Sequence, residues 1–334
     1  MATNNSVVAG EMPIEQFHQS ADAVVAEVGK LIVGQRDVIR YVLIGVIAGG
    51  HVLLEGVPGL GKTSLIRALG QALDLSFSRI QFTPDIMPAD ITGTTVLERD
   101  GGHNSFRFEQ GPVFANLILA DEINRATPKT QSALLEAMQE KTVTVGKQTY
   151  QLDRPFFVLA TQNPLEMDGT YPLPEAQLDR FMFKVNVTYP SAAELVDILG
   201  RTTGNESVQI NAVIDGPTVV AMGNLARKVP VASHVAEYVA RLTVATQPEH
   251  ATLDRVLRFV RYGASPRAAQ AILLGAKINA LLSGRYNVSF DDVRAVAPAA
   301  LRHRLLLNFE AQAEGISADD VIKELLAAMP DQGR

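Results

Sequence analysis

The sequence predicts an α/β fold: a parallel sheet between helices, followed by an all-helical domain. Three observations predict it. Apolar stretches that read as buried strands alternate with helical patterns up to about residue 190, and such alternation implies a parallel sheet with helices on both faces. A glycine-rich segment, Gly56-Val57-Pro58-Gly59-Leu60-Gly61-Lys62-Thr63, sits between one such strand, His51 to Glu55, and the opening of a helix at Ser64. Beyond Pro190 strand character fades and helix-start signals recur, at Ser265-Pro266, at Ser289 with Asp292 and at Ser317 with Asp320.

The 334 residues allow two domains or one large one, and 47% apolar against 20% charged residues suits a globular chain with a sizeable core. The formal net charge of −6 argues against an obligate nucleic-acid binder, because phosphate affinity requires a basic face. With no cysteine, disulfide and thiolate chemistry are excluded. The six histidines show no metal-ligand spacing and read as structural or surface groups. Residues 1–12 read as a disordered leader without the basic and apolar regions of a signal peptide. Tyr41 to Gly50, the most apolar run, is too short to span a bilayer, so the expectation is a cytoplasmic protein with no membrane span.

Taken in order, Pro13 opens a helix through about Lys30, with Ile14, Phe17, Ala21, Val24, Val25 and Val28 at helical spacing. Val33-Gly34-Gln35 breaks it, and a second helix runs from about Asp37 to Ala48 and stops at Gly49-Gly50. After the glycine segment and its helix, Pro84, Pro88, Gly93 and Gly101-Gly102 punctuate the chain. Thr94 to Glu98 and Ser105 to Phe108 flank the polar Arg99 to Asn104, which reads as an inserted hairpin at 94–108. Leu117 to Glu122 is an apolar strand ending in two carboxylates. A helix from Pro128 to Gln139 and a second hairpin at 142–152 follow. Pro155 to Thr161 is another buried strand, closed by Gln162-Asn163-Pro164. A short segment, Glu175 to Arg180, leads into a last strand from Phe181 to Thr188. The chain thus divides near residue 190 into a core, 13–190, and a helical domain, 191–334.

The glycine segment is suited to cradle a polyphosphate. Its glycines let backbone N–H groups turn inward, and the helix N-terminus adds unpaired donors. Lys62 can reach the β- and γ-phosphates, and the Thr63 hydroxyl can hold magnesium. Asp121 and Glu122 end a buried strand, where ligands lie in such folds. Asp121 would orient the magnesium shell and Glu122 would polarise a water against the γ-phosphate. A simple strand cap is the plainer reading of this pair. Asn163, ending the next strand, could position that water without adding charge, or merely sit in a turn. Arg180 reads as a finger for the γ-phosphate of a neighbouring subunit, with Arg125 as its competitor and a surface salt bridge to Asp179 or Glu175 as the plainer reading. Arg267 opposes the dipole of the helix it opens, which suggests a purpose such as contacting nucleotide from the helical domain.

Together these segments resemble the MoxR type of AAA+ ATPase. Gly56 to Thr63 corresponds to Walker A, and Leu117 to Glu122 with the continuation Ile123-Asn124-Arg125-Ala126 to Walker B. Ala160 to Pro164 matches sensor 1, Leu178-Asp179-Arg180-Phe181 the finger segment, and Gly263 to Arg267 sensor 2. The resemblance implies an αβα core with a helical lid, ATP and Mg2+ as cofactors, and Val33-Gly34-Gln35 near the adenine, with Ser64 completing the loop. It further implies a homo-oligomer, commonly a hexameric ring, acting as a chaperone-like remodeller of protein clients. Its partner proteins often carry a von Willebrand factor A domain, and its work is metal insertion or complex maturation. The hairpins would be a helix-2 insert and a pre-sensor-1 hairpin, either touching a client and carrying the nucleotide state to it or serving as stiff decoration. Whether Arg267 serves its own subunit's nucleotide or a neighbour's stays open. Alternatives are a nucleotide-gated binding scaffold with little turnover, a magnesium-chelatase-like motor subunit, and a DNA-translocating motor. Lys141, Lys147 and Arg154 make a thin basic track for the last of these.

Overall fold

The structure is a computed structural model that describes residues 12–100, 103–164, 169–203 and 208–331, without the side chains of 99–104. Of the expected leader only Met12 lies among them, and the tip of the first hairpin falls outside.

Helices α1 (Ile14–Leu31) and α2 (Arg36–Ala48) precede strand β1 (Val52–Glu55). The glycine segment leads into α3 (Lys62–Ala72), then β2 (Phe77–Gln81) and the short α4 (Pro88–Thr92). The first hairpin is β3 (Gly93–Asp100) with β4 (His103–Gln110). Next come β5 (Leu117–Asp121), α5 (Pro128–Glu140), the hairpin of β6 (Thr142–Val145) and β7 (Gln148–Gln151), β8 (Phe157–Gln162), α6 (Glu175–Leu178) and β9 (Phe183–Asn186). Helices α7 (Ala192–Thr202), α8 (Gly216–Lys228), α9 (Ser233–Val244) and α10 (Asp254–Phe259) follow. Strand β10 (Val260–Tyr262), α11 (Pro266–Leu282), α12 (Phe290–Leu301), strand β11 (Leu306–Leu307), α13 (Phe309–Ala313) and α14 (Ala318–Ala328) end the described chain.

The main sheet is parallel, in the order β2-β5-β8-β1-β9. Its inner strands β1, β5 and β8 are continuous apolar runs because both faces are covered. Strand β2 carries no such run. It is an edge strand, Phe77-Ser78-Arg79-Ile80-Gln81, with only Ile80 buried, so apolar periodicity does not announce it. The region after residue 190 is helical as expected and adds one antiparallel pair, β10 with β11, too short to leave a period in the sequence.

The helices after residue 190 pack on the core rather than standing apart. Helix α11 lies against α1 and α2, α12 lies against β9, and one buried apolar cluster runs through α1, α2, the sheet and α11 and α12. Arg40 donates to Asn279 (2.8 Å) and the Tyr41 hydroxyl to the Ala295 carbonyl (2.7 Å) across this seam. The caps expected at Ser289 and Ser317 form: each hydroxyl accepts from the amide three residues on, Asp292 at 3.3 Å and Asp320 at 3.2 Å. Ser265 does not cap α11 with its side chain.

Helix α11 comes close to the sheet at Gly275, where an added Cβ would lie 2.8 Å from Cζ of the fully buried Phe183. Gly275→Val should therefore overpack this seam and cost about 1–3 kcal/mol, read as a lower urea midpoint at unchanged slope.

Candidate active site

The cradle forms where β1 ends. Gly59 and Gly61 adopt φ values of +83° and +76°, a region that excludes most side chains, and this lets the loop coil over the start of α3. Lys62 folds back and donates to the Gly56 carbonyl. Burial lowers its pKa from the usual lysine range, and Asp121, Glu122 and Glu55 oppose that fall. Gln35, itself left-handed at φ 47°, donates to the Leu60 carbonyl (3.0 Å), so the Val33-Gly34-Gln35 segment touches the back of the loop.

Strand order then assembles the rest. Strand β5 pairs with β8, and their carboxyl ends bring Asp121, Glu122 and Asn163 to the cavity of about 300 Å³ that Gly59 to Thr63 also line. Asn163 is buried, at 5% exposure, which a mere turn residue does not require. Glu122 is left-handed (φ 55°, ψ 51°), a conformation costly for a residue with a Cβ, and its amide donates to Thr161 Oγ1 (2.9 Å).

Four residues hold these two carboxylates: Thr161, Arg79 and Gln81, for which the sequence predicts no part in the site, and Arg125, the expected competitor for the finger. Thr161 Oγ1 donates to Asp121 Oδ1 (2.7 Å), and Arg79 donates to Asp121 Oδ2 (2.6 Å). Gln81 Nε2 and Arg125 Nη1 both donate to Glu122 Oε2, each at 3.1 Å. Arg125 thus serves its own chain's Glu122. Arg79 and Gln81 come from β2, the strand that periodicity missed; their alternation on an edge strand beside the apolar β5 is the available signal.

Arg180 and Arg267 lie elsewhere. They share with Asp179 and Arg304 a second cavity of about 300 Å³, which His51 also lines. His51 precedes β1 and Gly56 follows it, so the two cavities lie at opposite ends of that strand. Arg180 donates to the Leu135 carbonyl (2.9 Å) and does not pair with Asp179, as the plainer reading had it. Asp179 turns instead to Arg304 (2.7 Å), Ser265 (3.0 Å) and Arg267 (3.4 Å). The Ser265 hydroxyl, at the N-cap position of α11, is therefore spent on Asp179. Burial lowers the Arg304 pKa, and Asp179 opposes this. The buried histidines are structural: His51 Nδ1 accepts from the Val158 amide (3.0 Å) and His303 Nε2 meets the Phe181 carbonyl (3.0 Å).

A glycine cradle at the tip of a buried parallel strand, with two carboxylates on the neighbouring strand, defines a P-loop protein. The family model "ATPase family associated with various cellular activities (AAA)" matches residues 51–183, and "AAA lid domain" matches 254–325. Chaperone MoxR1 of Mycobacterium tuberculosis is 44% identical, over 92% of this chain and 83% of its own. Protein MoxR of Methylorubrum extorquens is 30% identical, over 98% and 99%. A crystal structure of an ATPase candidate from Cytophaga hutchinsonii superposes with a TM-score of 0.89 at 44% identity, covering 95% of this chain and 96% of that one. The chain belongs to the MoxR family of AAA+ ATPases. None of its described helices is long and apolar enough to cross a membrane.

Thr161→Val keeps the shape of the side chain but removes the hydroxyl that joins Asp121 to the Glu122 amide. It should cost about 1–3 kcal/mol in stability and lower turnover, while Thr161→Ser retains both. Denaturant melts and steady-state rates on the two variants check this.

Proposed function

We propose that this chain hydrolyses ATP with magnesium and uses the cycle to remodel protein clients, as a chaperone-like member of its family. The reading rests on the convergence of Lys62, Thr63, Asp121, Glu122 and Asn163 on one cavity. We take residues 13–190 as the nucleotide core and 191–334 as the lid.

The donor set fits magnesium. Thr63 and the carboxylates offer hard oxygen, and no cluster of three His, Cys, Asp or Glu among the described residues forms a closed cage. That suits an ion that keeps water and phosphate ligands, with Thr63 as direct ligand and Asp121 ordering its shell. Magnesium would neutralise charge on the β- and γ-phosphates. Lys62, released from the Gly56 carbonyl, would pair with the same phosphates. Asn163 would hold a water in line, and Glu122 would take its proton as oxygen bonds to the γ-phosphorus and the bond to the β-phosphate oxygen breaks. Gln81 and Arg125 both donate to one Glu122 oxygen, Oε2, and so hold the carboxylate at the cavity.

Arg180 and Arg267 lie across β1 from their own Lys62. Their shared cavity favours both acting on a nucleotide held by the next subunit of a homo-oligomeric, hexameric ring. This reading gives Arg267 a role in trans and makes Arg180, not Arg125, the finger. The client surface includes the first hairpin, where Leu97 and Phe106 pair across the strands and stay exposed, at 47% and 78%. Phe108 on the same face stacks on Tyr150 of the second hairpin (4.3 Å between centroids), which ties the two hairpins together. We extend the reading to a cytoplasmic ring that works with a partner bearing a von Willebrand factor A domain in metal insertion or complex maturation.

Glu122→Gln should keep ATP binding and lose turnover, and Lys62→Ala should lose binding itself; equilibrium binding of a fluorescent ATP analogue and phosphate release separate the two. Wild-type turnover of Glu122→Gln would remove the general-base assignment. Arg180→Ala should lower the rate by about 10³–10⁵, the usual worth of a finger. Mixed with Glu122→Gln it should regain activity at interfaces that join an intact Glu122 to an intact Arg180. No recovery in demonstrably mixed rings would count against action in trans.

A further inference from the structure

The strongest unassigned feature is Arg304. Its side chain is buried at the seam between lid and core, and it belongs to neither the phosphate cradle nor the finger pair. Its guanidinium donates to Asp179 Oδ1 (2.7 Å), to the Asp179 carbonyl (3.0 Å), to the Phe181 carbonyl (2.7 Å), to the Met182 carbonyl (3.2 Å) and to the Ala300 carbonyl (2.5 Å). A planar five-donor fork is the only side chain that can satisfy so many fixed acceptors at once. Its neighbours extend the clip. His303 meets the Phe181 carbonyl (3.0 Å), and Arg302 donates to the Lys184 carbonyl (3.0 Å) while pairing with Asp319 (3.0 Å). Thus three consecutive lid residues hold the chain from Asp179 to Lys184 by its carbonyls, where it enters the outermost strand β9. From the other side of the lid, Ser265 and Arg267 reach the same Asp179. Arg180 lies inside this clamped segment, and its own side chain rests on the Leu135 carbonyl of the core.

We propose that Arg304 is a positioning residue that, through Asp179 and the 181–182 backbone, fixes Arg180 and Arg267 as one unit where the lid meets the core. The core holds the same segment by its amides, with Met182 donating to the His51 carbonyl (2.8 Å) and β9 pairing with β1. Asp179 sets the spacing between the two arginines, so the finger depends on lid and core together. This inference rests on the reading of Arg180 as a finger acting across a subunit interface.

The test uses the full-length protein with Arg304→Lys and Asp179→Asn, beside Arg180→Ala. Lysine keeps the charge and loses the fork. Asparagine keeps the size and the backbone acceptor and loses the counter-charge, so it serves even where the buried lysine prevents folding. For both variants kcat should fall roughly 10–100-fold, the effect of misplacing a catalytic group by about an ångström, while KM and binding of a fluorescent ATP analogue stay near wild type. In mixed rings, each should regain activity with Glu122→Gln, whose defect lies on the opposite face. Neither should regain it with Arg180→Ala, whose defect lies on the same face. A wild-type kcat in both variants while Arg180→Ala is inactive overturns the positioning role alone. Loss of nucleotide binding in step with kcat overturns it as well, because general damage to the fold would do that. A wild-type rate for Arg180→Ala overturns the finger reading, and this inference with it.

Discussion

Everything in this chain depends on a four-residue strand that is hydrogen-bonded on both sides. Strand β1 pairs with β8 through Val52–Leu159 to Glu55–Gln162, and with β9 through Val52–Phe183 to Glu55–Asn186. Its backbone groups have no water to turn to, so the pairing is obligatory and the register is rigid. The phosphate loop hangs from its carboxyl end and inherits that rigidity. Glycines 59 and 61 bend because they lack a Cβ, and the strand before them fixes where that bend begins. The second cavity begins at its amino end, beside His51. One short strand therefore holds two charged sites apart, and the separation explains why a single copy cannot bring Arg180 to Lys62.

The two ends differ in how they hold charge. At the cradle, opposite charges are interleaved: Arg79 on Asp121, Arg125 on Glu122, and Lys62 turned to a carbonyl. These contacts are half-open to solvent and of modest strength, which suits groups that must exchange partners when a polyphosphate enters. At the other end of β1, Arg304 is fixed by five acceptors, one of them its counter-ion Asp179, while Arg267 stays exposed and Arg180 half-buried. The cradle is built to be rearranged, and the segment around Arg180 is built to be held.

Much of this was legible in the sequence, for identifiable reasons. Strands β5 and β8 are continuous apolar runs because they are buried on both faces, and such runs survive in the sequence unaltered. The glycine segment is legible because its backbone conformation admits few residues. Ser289 and Ser317 were readable as caps because a cap depends on residues three apart. What escaped depends on distant partners or on exposed edges. Strand β2 escaped because its faces are polar, and its polar residues are the ones that hold Asp121 and Glu122. Ser265-Pro266 marks the start of α11 as read, but the bond of its hydroxyl to Asp179, 86 residues away, left no trace in the sequence. Arg304 gave no signal because three of its five acceptors are carbonyls of residues 179, 181 and 182, and a carbonyl has no identity in the sequence.

The pair of buried Arg304 and half-buried Asp179 is a poor device for stability. Taking a guanidinium and a carboxylate out of water carries a desolvation penalty that their attraction does little more than offset, and an apolar pair of similar volume commonly does as well. An apolar pair would, however, take the Arg304 donor from the carbonyls of 179 and 182 and leave the 181 carbonyl to His303 alone, at the mouth of an edge strand where unpaired acceptors are costly. It would also impose no direction on the chain between them. A forked cation does both at once: it satisfies the carbonyls and sets the angle at which residue 180 leaves the backbone. A feature that contributes little net free energy can thus define geometry narrowly, and here it lies one residue from Arg180.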